Sequence, residues 1–357
     1  MASIEIAPVT QWITPAAVRH GQALPQHLMQ RLQINRRQAG EVLRQLVDLQ
    51  WLLREGGARD AHYRPGALRQ VVKVYELSGL QEDQPWRLDF APCLALPSEV
   101  ARMAEHALSE LLNNAIDHSG GSTVTVSMRQ TPLQLQLLVS DDGCGLFERI
   151  TQSFQIDEPQ LAMLELSKGK LTSAPERHSG HGLFFTSRLA DVFDLHANEA
   201  AFQYRTWDAP GWHRGRPAAR RGTAVYFGLA LDTARTLDAV LRAHSRSGQN
   251  YAFERTRVAL GLLLDAGAGA GTGDLLASRA QARRALHRLG SFREAEIDFS
   301  GIGQVGHGFA DEMFRVFGRD HAQLQLYPVG MNPQVAAMVG TVRPAPLAAP
   351  TPDSASR

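Results

Sequence analysis

Residues 98–139 constrain the fold more than any other stretch. Over residues 98–118 the apolar positions recur at helical spacing, with Leu108, Leu111, Leu112 and Ile116 away from a polar face. Thr123–Met128 and Leu133–Val139 then alternate apolar with polar residues on either side of a proline turn. A period near 3.6 buries one stripe of a helix, and a period of two buries one face of a strand. Helix, strand, strand predicts an antiparallel pair, which argues against a doubly wound nucleotide fold. No Gly-x-x-x-x-Gly-Lys-Ser/Thr stretch supplies a P-loop either. Any phosphate bound here must be held by some other arrangement.

At 357 residues, with 44% hydrophobic and 20% charged positions, the chain is long enough for two or three cores. Residues 1–70 hold nine arginines against five acidic residues, so this segment is positive while the remainder is slightly negative. A helix with Leu24, Leu28 and Leu32 gives way at Ile34-Asn35. The next carries Val42, Leu43, Leu46, Val47 and Leu49 at helical spacing and leaves Arg36, Arg37 and Arg44 outside. After Trp51-Leu52-Leu53 the run Arg54-Glu-Gly-Gly-Ala-Arg59 signals a hairpin turn. Helices followed by a hairpin resemble a winged helix-turn-helix, which implies arginine contacts to duplex DNA. Residues 71–97 read as a connector that begins with a strand at Val71–Tyr75 and then carries three prolines.

The chemistry concentrates in Ala107-Leu-Ser-Glu-Leu-Leu-Asn-Asn-Ala-Ile-Asp-His-Ser-Gly-Gly121. Glu110, Asn114 and Asp117 fall at i, i+4 and i+7, on one helix face. Two carboxylates and an amide oxygen pointing one way suit a hard cation and an activated water. The second strand runs into Asp141-Asp142-Gly143-Cys144-Gly145, and about 34 residues later comes Ser179-Gly180-His181-Gly182. Gly180 and Gly182 open an apolar helix, read as Leu183–Phe193, whose first backbone amides suit an anion. Arg221-Gly222-Thr223 leads into a last strand, Ala224–Leu229.

These runs, in this order, resemble the boxes of the GHKL superfamily, the Bergerat-fold ATPases that include DNA gyrase B subunits, heat-shock chaperone ATPases, histidine kinases and anti-sigma kinases. The resemblance implies an α/β sandwich with an antiparallel or mixed sheet over residues 98–235, binding ATP and Mg2+. By it, Glu110 is the general base or water-orienting carboxylate and Asn114 the magnesium ligand, while Asp117 supports the phosphate and metal side. Asp141 is the adenine reader, Gly143 and Gly145 bring backbone to the base, and Thr223 bonds near it. Gly180, Gly182 and His181 face the phosphates, with His178 beside them. Residues 146–179 are then a loop over the nucleotide, with Lys168, Lys170 and Arg177 solvated or near the γ-phosphate.

Residues 250–342 alternate strand and helix, with a glycine-rich turn at Ala266–Gly273. The run Asp298-Phe-Ser-Gly-Ile-Gly-Gln-Val-Gly-His-Gly-Phe-Ala-Asp-Glu312, preceded by Ser278-Arg279 and Arg283, resembles a small STAS-like α/β domain. That resemblance implies a phosphorylatable serine in the turn after the strand. The turn reads Gly306-His307-Gly308, so a phosphoserine switch is not expected. Residues 343–357 read as a disordered tail.

The class so described is α+β and multidomain. Its expected role is a cytoplasmic, slowly hydrolysing ATP-dependent regulator, with duplex DNA at the winged helix, a protein partner at the STAS-like domain and a second copy in a homodimer. The rival readings are a histidine or serine protein kinase of the two-component or anti-sigma type, and a non-catalytic ATP-sensing DNA-binding regulator. His106, one turn before Glu110, reads as structural, so it is not a phosphoacceptor. Cys93 and Cys144 have no paired spacing, which suits a reducing compartment, and no apolar run reaches the roughly 20 residues a bilayer requires.

Overall fold

The computed structural model describes residues 4–57, 60–172, 180–207, 211–264 and 275–343. Ala58 and Arg59 of the hairpin turn, Arg177, His178, the Ala266–Gly273 turn and the tail from Pro344 lie outside the described residues. The chain divides into two compact units. The first is Met1–Arg149, Thr186–Thr206 and Gly215–Leu237; the second is Ile150–Phe185, Trp207–Arg214 and Asp238–Arg357. Among the described residues no helix is long and apolar enough to cross a membrane.

The first unit begins with helices Ala7–His20, Leu24–Leu32 and Arg36–Asp48 and an antiparallel hairpin of β1 (Leu52–Glu55) and β2 (His62–Pro65). The first helix starts earlier than its sequence suggests. One proline sits in its first turn, where no N–H is needed, and Pro15 is accommodated inside it. Asn35 starts the third helix with a capping box: its Oδ1 accepts from Gln38 N at 2.9 Å, and Gln38 Oε1 accepts from Asn35 N at 3.0 Å. Val9, Ile13, Leu24, Leu28, Val42, Leu43 and Leu46 share one core.

Residues Arg69–Glu76 form β3, the end strand of an antiparallel sheet. The stretch read as a connector therefore opens with a strand that pairs along its length with β4 (Thr123–Gln130), from Arg69↔Gln130 to Glu76↔Thr123. Asp89 fastens the rest of that stretch to β3, accepting from Tyr75 Oη at 2.9 Å and pairing with Lys73 Nζ at 2.8 Å. Buried Thr14 Oγ1 accepts from Gln70 N at 3.1 Å, tying the first helix to the same strand.

Besides the hairpin, this unit holds β3, β4 (Thr123–Gln130), β5 (Gln134–Asp141), β6 (Val192–Ala197), β7 (Ala200–Arg205) and β9 (Thr223–Ala230). They lie in the order β3-β4-β5-β9-β6-β7, each antiparallel to its neighbour. Val124, Val126 and Met128 of β4 and Leu135, Leu137 and Val139 of β5 are buried at alternate positions. Helix Ser98–His118 packs on β5 and buries Met103, Ala107, Leu108, Leu111, Leu112 and Ala115 at spacings of three and four. Each of the leucine and methionine side chains contributes about 1.5–3 kcal/mol when fully buried.

The second unit holds β8 (Gly211–Arg214) and a parallel sheet of β10 (Arg255–Ala259), β12 (Glu294–Asp298) and β14 (Gln325–Val329), in the order β10-β12-β14. A short parallel pair, β11 (Leu275–Leu276) and β13 (Gln304–Val305), lies beside helices Arg279–Leu286 and Pro333–Val342. The helical run from His307 to Asp320 has a π-turn over Asp311–Val316. Residues 146–172, read as loop, fold mainly into helices Leu146–Phe154 and Pro159–Lys168.

Candidate functional site

Helix Ser98–His118 places Glu110, Asn114 and Asp117 along one half-buried face, opposite the leucines that lie on the sheet. Asn114 Nδ2 is buried with no hydrogen-bond partner. Leaving such a donor dry costs about 1–3 kcal/mol, so this amide is suited to a ligand's atoms. His106 Nε2 is likewise buried without a partner, and burial lowers its pKa, which keeps the imidazole neutral near pH 7.

β5 ends on two aspartates with opposite fates. Asp142 is exposed and accepts four bonds of 2.8–3.0 Å from the N–H and hydroxyl groups of Ser122 and Thr123. The Thr123 N–H, chief among them, holds its carboxyl well below the usual range. This side chain closes the turn before β4. Asp141 is buried, and its Oδ1 accepts from Gly143 N at 3.0 Å and Thr223 N at 3.1 Å. Burial raises its pKa, against the pull of those two N–H groups. Both bonds fall on Oδ1, which leaves Oδ2 to accept from a ligand.

The surrounding loop is fixed by close backbone approaches. Cys144 N donates to Ser119 O at 2.9 Å, joining the loop to the end of the Glu110 helix. A Cβ on Gly143 would lie 2.2 Å from Ser119 O. Gly145 has φ +92°, and a Cβ there would lie 2.6 Å from Asn198 Nδ2. The room these glycines leave is thus taken first by the protein's own groups. Ser140 pairs with Ala224, so Asp141 and Thr223 end adjacent strands, and Thr223 Oγ1 accepts from Leu146 N at 2.9 Å.

Asn198, absent from the sequence reading, clamps this rim. Its Nδ2 donates to Cys144 O at 2.8 Å, its Oδ1 accepts from Gly222 N at 3.0 Å, and its own N–H donates to Gly222 O at 3.3 Å. It occupies the two-residue turn between β6 and β7 with φ +51°. The alternating Val-Phe-Asp-Leu-His-Ala and Ala-Ala-Phe-Gln-Tyr-Arg runs around Asn198-Glu199 are the signal that finds it.

One unit thus brings together Glu110, Asn114, Asp117, Asp141, Gly143, Gly145 and Thr223, whereas Gly180, His181 and Gly182 belong to the other. There Gly180, at φ +70°, comes so close to the Leu171 backbone that a Cβ would lie 2.7 Å away, and its carbonyl accepts from Lys170 N at 3.0 Å. Gly182 begins helix Gly182–Leu189, shorter than expected because the chain turns into β6 at Val192. The His181 ring lies 4.8 Å from Phe253 and 6.0 Å from Phe185, nearly perpendicular to both. Burial, then Lys170, lowers its pKa, and a neutral, ring-packed imidazole is a weak phosphate partner. Lys168 is buried, contrary to the solvated role its sequence context suggests.

Residues 99–233 match the family described as histidine kinase-, DNA gyrase B-, and HSP90-like ATPase. This stretch is similar to GHKL-type ATPase domains. Residues 281–336 match a STAS-like domain of unknown function. No curated protein matches the chain. The GHKL match supports ATP as the ligand of this domain, and the buried acceptor and unpartnered amide agree with it. Among the described residues no group of three His, Cys, Asp or Glu could hold a metal ion. Asn198→Asp places a carboxylate against Cys144 O and is expected to cost about 1–3 kcal/mol of stability in denaturant unfolding. ATP affinity should weaken in parallel; if neither changes, Asn198 is not the clamp.

Proposed function

We propose that residues 98–235 bind ATP with Mg2+ and hydrolyse it slowly, as the switch of a regulatory protein. The observation that carries this reading is buried Asp141, with one oxygen fixed by two N–H groups and the other left to accept. The exocyclic amine of adenine donates to such an oxygen, whereas guanine presents an acceptor there. Thr223 and the backbone at Gly143 and Gly145 hold the Asp141 rim in place on the adenine side. Asn114 offers its side-chain oxygen to Mg2+, with Asp117 on the same helix face. The cation, when bound, neutralises phosphate charge. Glu110, one turn before Asn114, orients and deprotonates the attacking water. Gly180 and Gly182 are assigned to the phosphates by resemblance alone, and His181 is the weakest member of that set.

Incubation with γ-labelled ATP tests the reading. Label released as phosphate supports hydrolysis, label kept on this chain or a partner protein supports a kinase, and bound ATP without turnover supports a passive sensor.

The N-terminal helices and hairpin are read as a winged helix acting on duplex DNA. Arg36, Arg37 and Arg44 are exposed on helix Arg36–Asp48, and the Arg37–Glu41 contact at 3.7 Å is too solvated to neutralise the face. Arg36→Ala with Arg37→Ala is expected to flatten the slope of log affinity against log salt by roughly 2 units. If the unaltered protein retains no DNA at low salt, DNA has no part in its function. The STAS-like domain is read as the contact for a protein partner.

A further inference from the structure

The segment bracketed by the two glycine runs has sequence features of a solvated loop, but its described residues from Ile150 to Phe185 belong to the same compact unit as the C-terminal domain. Helix Pro159–Lys168 packs against β10 and the turn Leu260–Leu263, burying Ala162, Met163, Leu164, Glu165, Ser167 and Lys168. The Lys168 side chain is 1% exposed. Its Nζ donates to Glu165 Oε1 at 2.6 Å and to His287 O at 2.9 Å, just past helix Arg279–Leu286. Thr256 Oγ1 of β10 donates to Lys168 O at 2.7 Å. A lysine this dry keeps its charge only through such partners, and burial already lowers its pKa against the pull of Glu165.

The anchor continues toward the second glycine run. Lys170 Nζ donates to Ser291 O at 2.8 Å and lies 4.1 Å from the centre of the Phe292 ring, while Arg288 Nη2 donates to Lys170 O at 3.1 Å. Phe253 then gathers the segment around one ring. A Cβ on Gly169 would lie 2.5 Å from its edge, and His181, Phe184 and Phe185 have ring centres 4.8, 4.5 and 5.1 Å from it. Phe253 also lies 5.2 Å from Phe292, beside β12. Polar bonds to backbone carbonyls and a shared aromatic cluster tie the described residues of this segment to the C-terminal domain.

We propose that the C-terminal domain regulates the nucleotide site by holding residues 159–172, which precede the second glycine run, with buried Lys168 as their anchor. This rests on the ATP reading above. Whatever loosens or tightens the C-terminal domain then changes the order of Gly180–Gly182, and by thermodynamic reciprocity ATP changes the stability of the C-terminal domain by the same factor. A partner protein on the STAS-like domain acts on ATP affinity without touching the nucleotide.

The test uses the full chain. Lys168→Met removes the ammonium that donates to Glu165 and to the His287 carbonyl, with His287 Nδ1 still 3.4 Å from Glu165 Oε1; Thr256→Val removes a single hydroxyl bond and is the milder variant. Both are expected to speed amide hydrogen exchange in residues 160–172 and 279–298 together, leaving β4 and β5 unchanged. ATP affinity, measured by equilibrium binding with Mg2+, should fall roughly tenfold for Lys168→Met and less for Thr256→Val. In the unaltered protein, saturating ATP should slow exchange in residues 255–259 and 279–298. The proposal is overturned if the anchor loosens while ATP affinity stays the same, or if ATP protects no amide of the C-terminal domain. Failure of the unaltered protein to bind ATP overturns the nucleotide reading itself, and the equilibrium measurement distinguishes that result from the others.

Discussion

Asn in place of Asp141 is expected to lower ATP affinity roughly 10- to 100-fold, the loss of one charge-assisted hydrogen bond of about 1.5–3 kcal/mol. The fold should survive, because an amide oxygen still accepts from Gly143 N and Thr223 N, the two donors that meet Oδ1. The other position then carries an NH2 group, which opposes the amine of adenine and suits the oxygen of guanine. Asp141→Asn should therefore narrow the preference for ATP over GTP as well as weaken ATP. The ionised carboxylate is the acceptor, so ATP affinity should also fall as pH drops through the Asp141 titration. Burial places that titration above the ordinary carboxylate range. Paired isotherms for both nucleotides, across pH, check all three expectations; unchanged ATP affinity in Asp141→Asn removes Asp141 from base recognition.

Glu110→Ala should act on turnover and spare binding. General-base catalysis by a positioned carboxylate is worth about 10²–10⁴ in rate, so release of labelled phosphate should fall by roughly that factor. The ATP dissociation constant should stay within a few-fold, because Asp141 and Asn114 are untouched. Undiminished turnover would mean that another group activates the water.

The parts legible from sequence are those whose signals are local. The helix Ser98–His118 and strands β4 and β5 follow from apolar periodicity, and the Asp141 and Gly182 runs are short contiguous motifs. The parts that escaped depend on distant partners. Lys168 looks solvated until Glu165, His287 and Thr256 are placed around it, and Pro159–Lys168 is helical because it packs on β10. Gly143 reads as room for a base, yet the atom 2.2 Å from its missing Cβ is Ser119 O. Val71–Tyr75 reads as a strand, but only the register with β4 makes it part of the sheet that carries Asp141. Asn198 was legible in principle, as the turn of a two-residue hairpin, but its bonds to Cys144 and Gly222 span 54 and 24 residues.

Asp141 is proposed to read adenine in the domain that is similar to GHKL ATPases. The most direct test of that role is the equilibrium binding of ATP and GTP to the unaltered protein in the presence of Mg2+. Saturable binding of one ATP per chain is expected, with GTP at least about tenfold weaker. Equal affinity for the two nucleotides, or no saturable ATP binding, would contradict it.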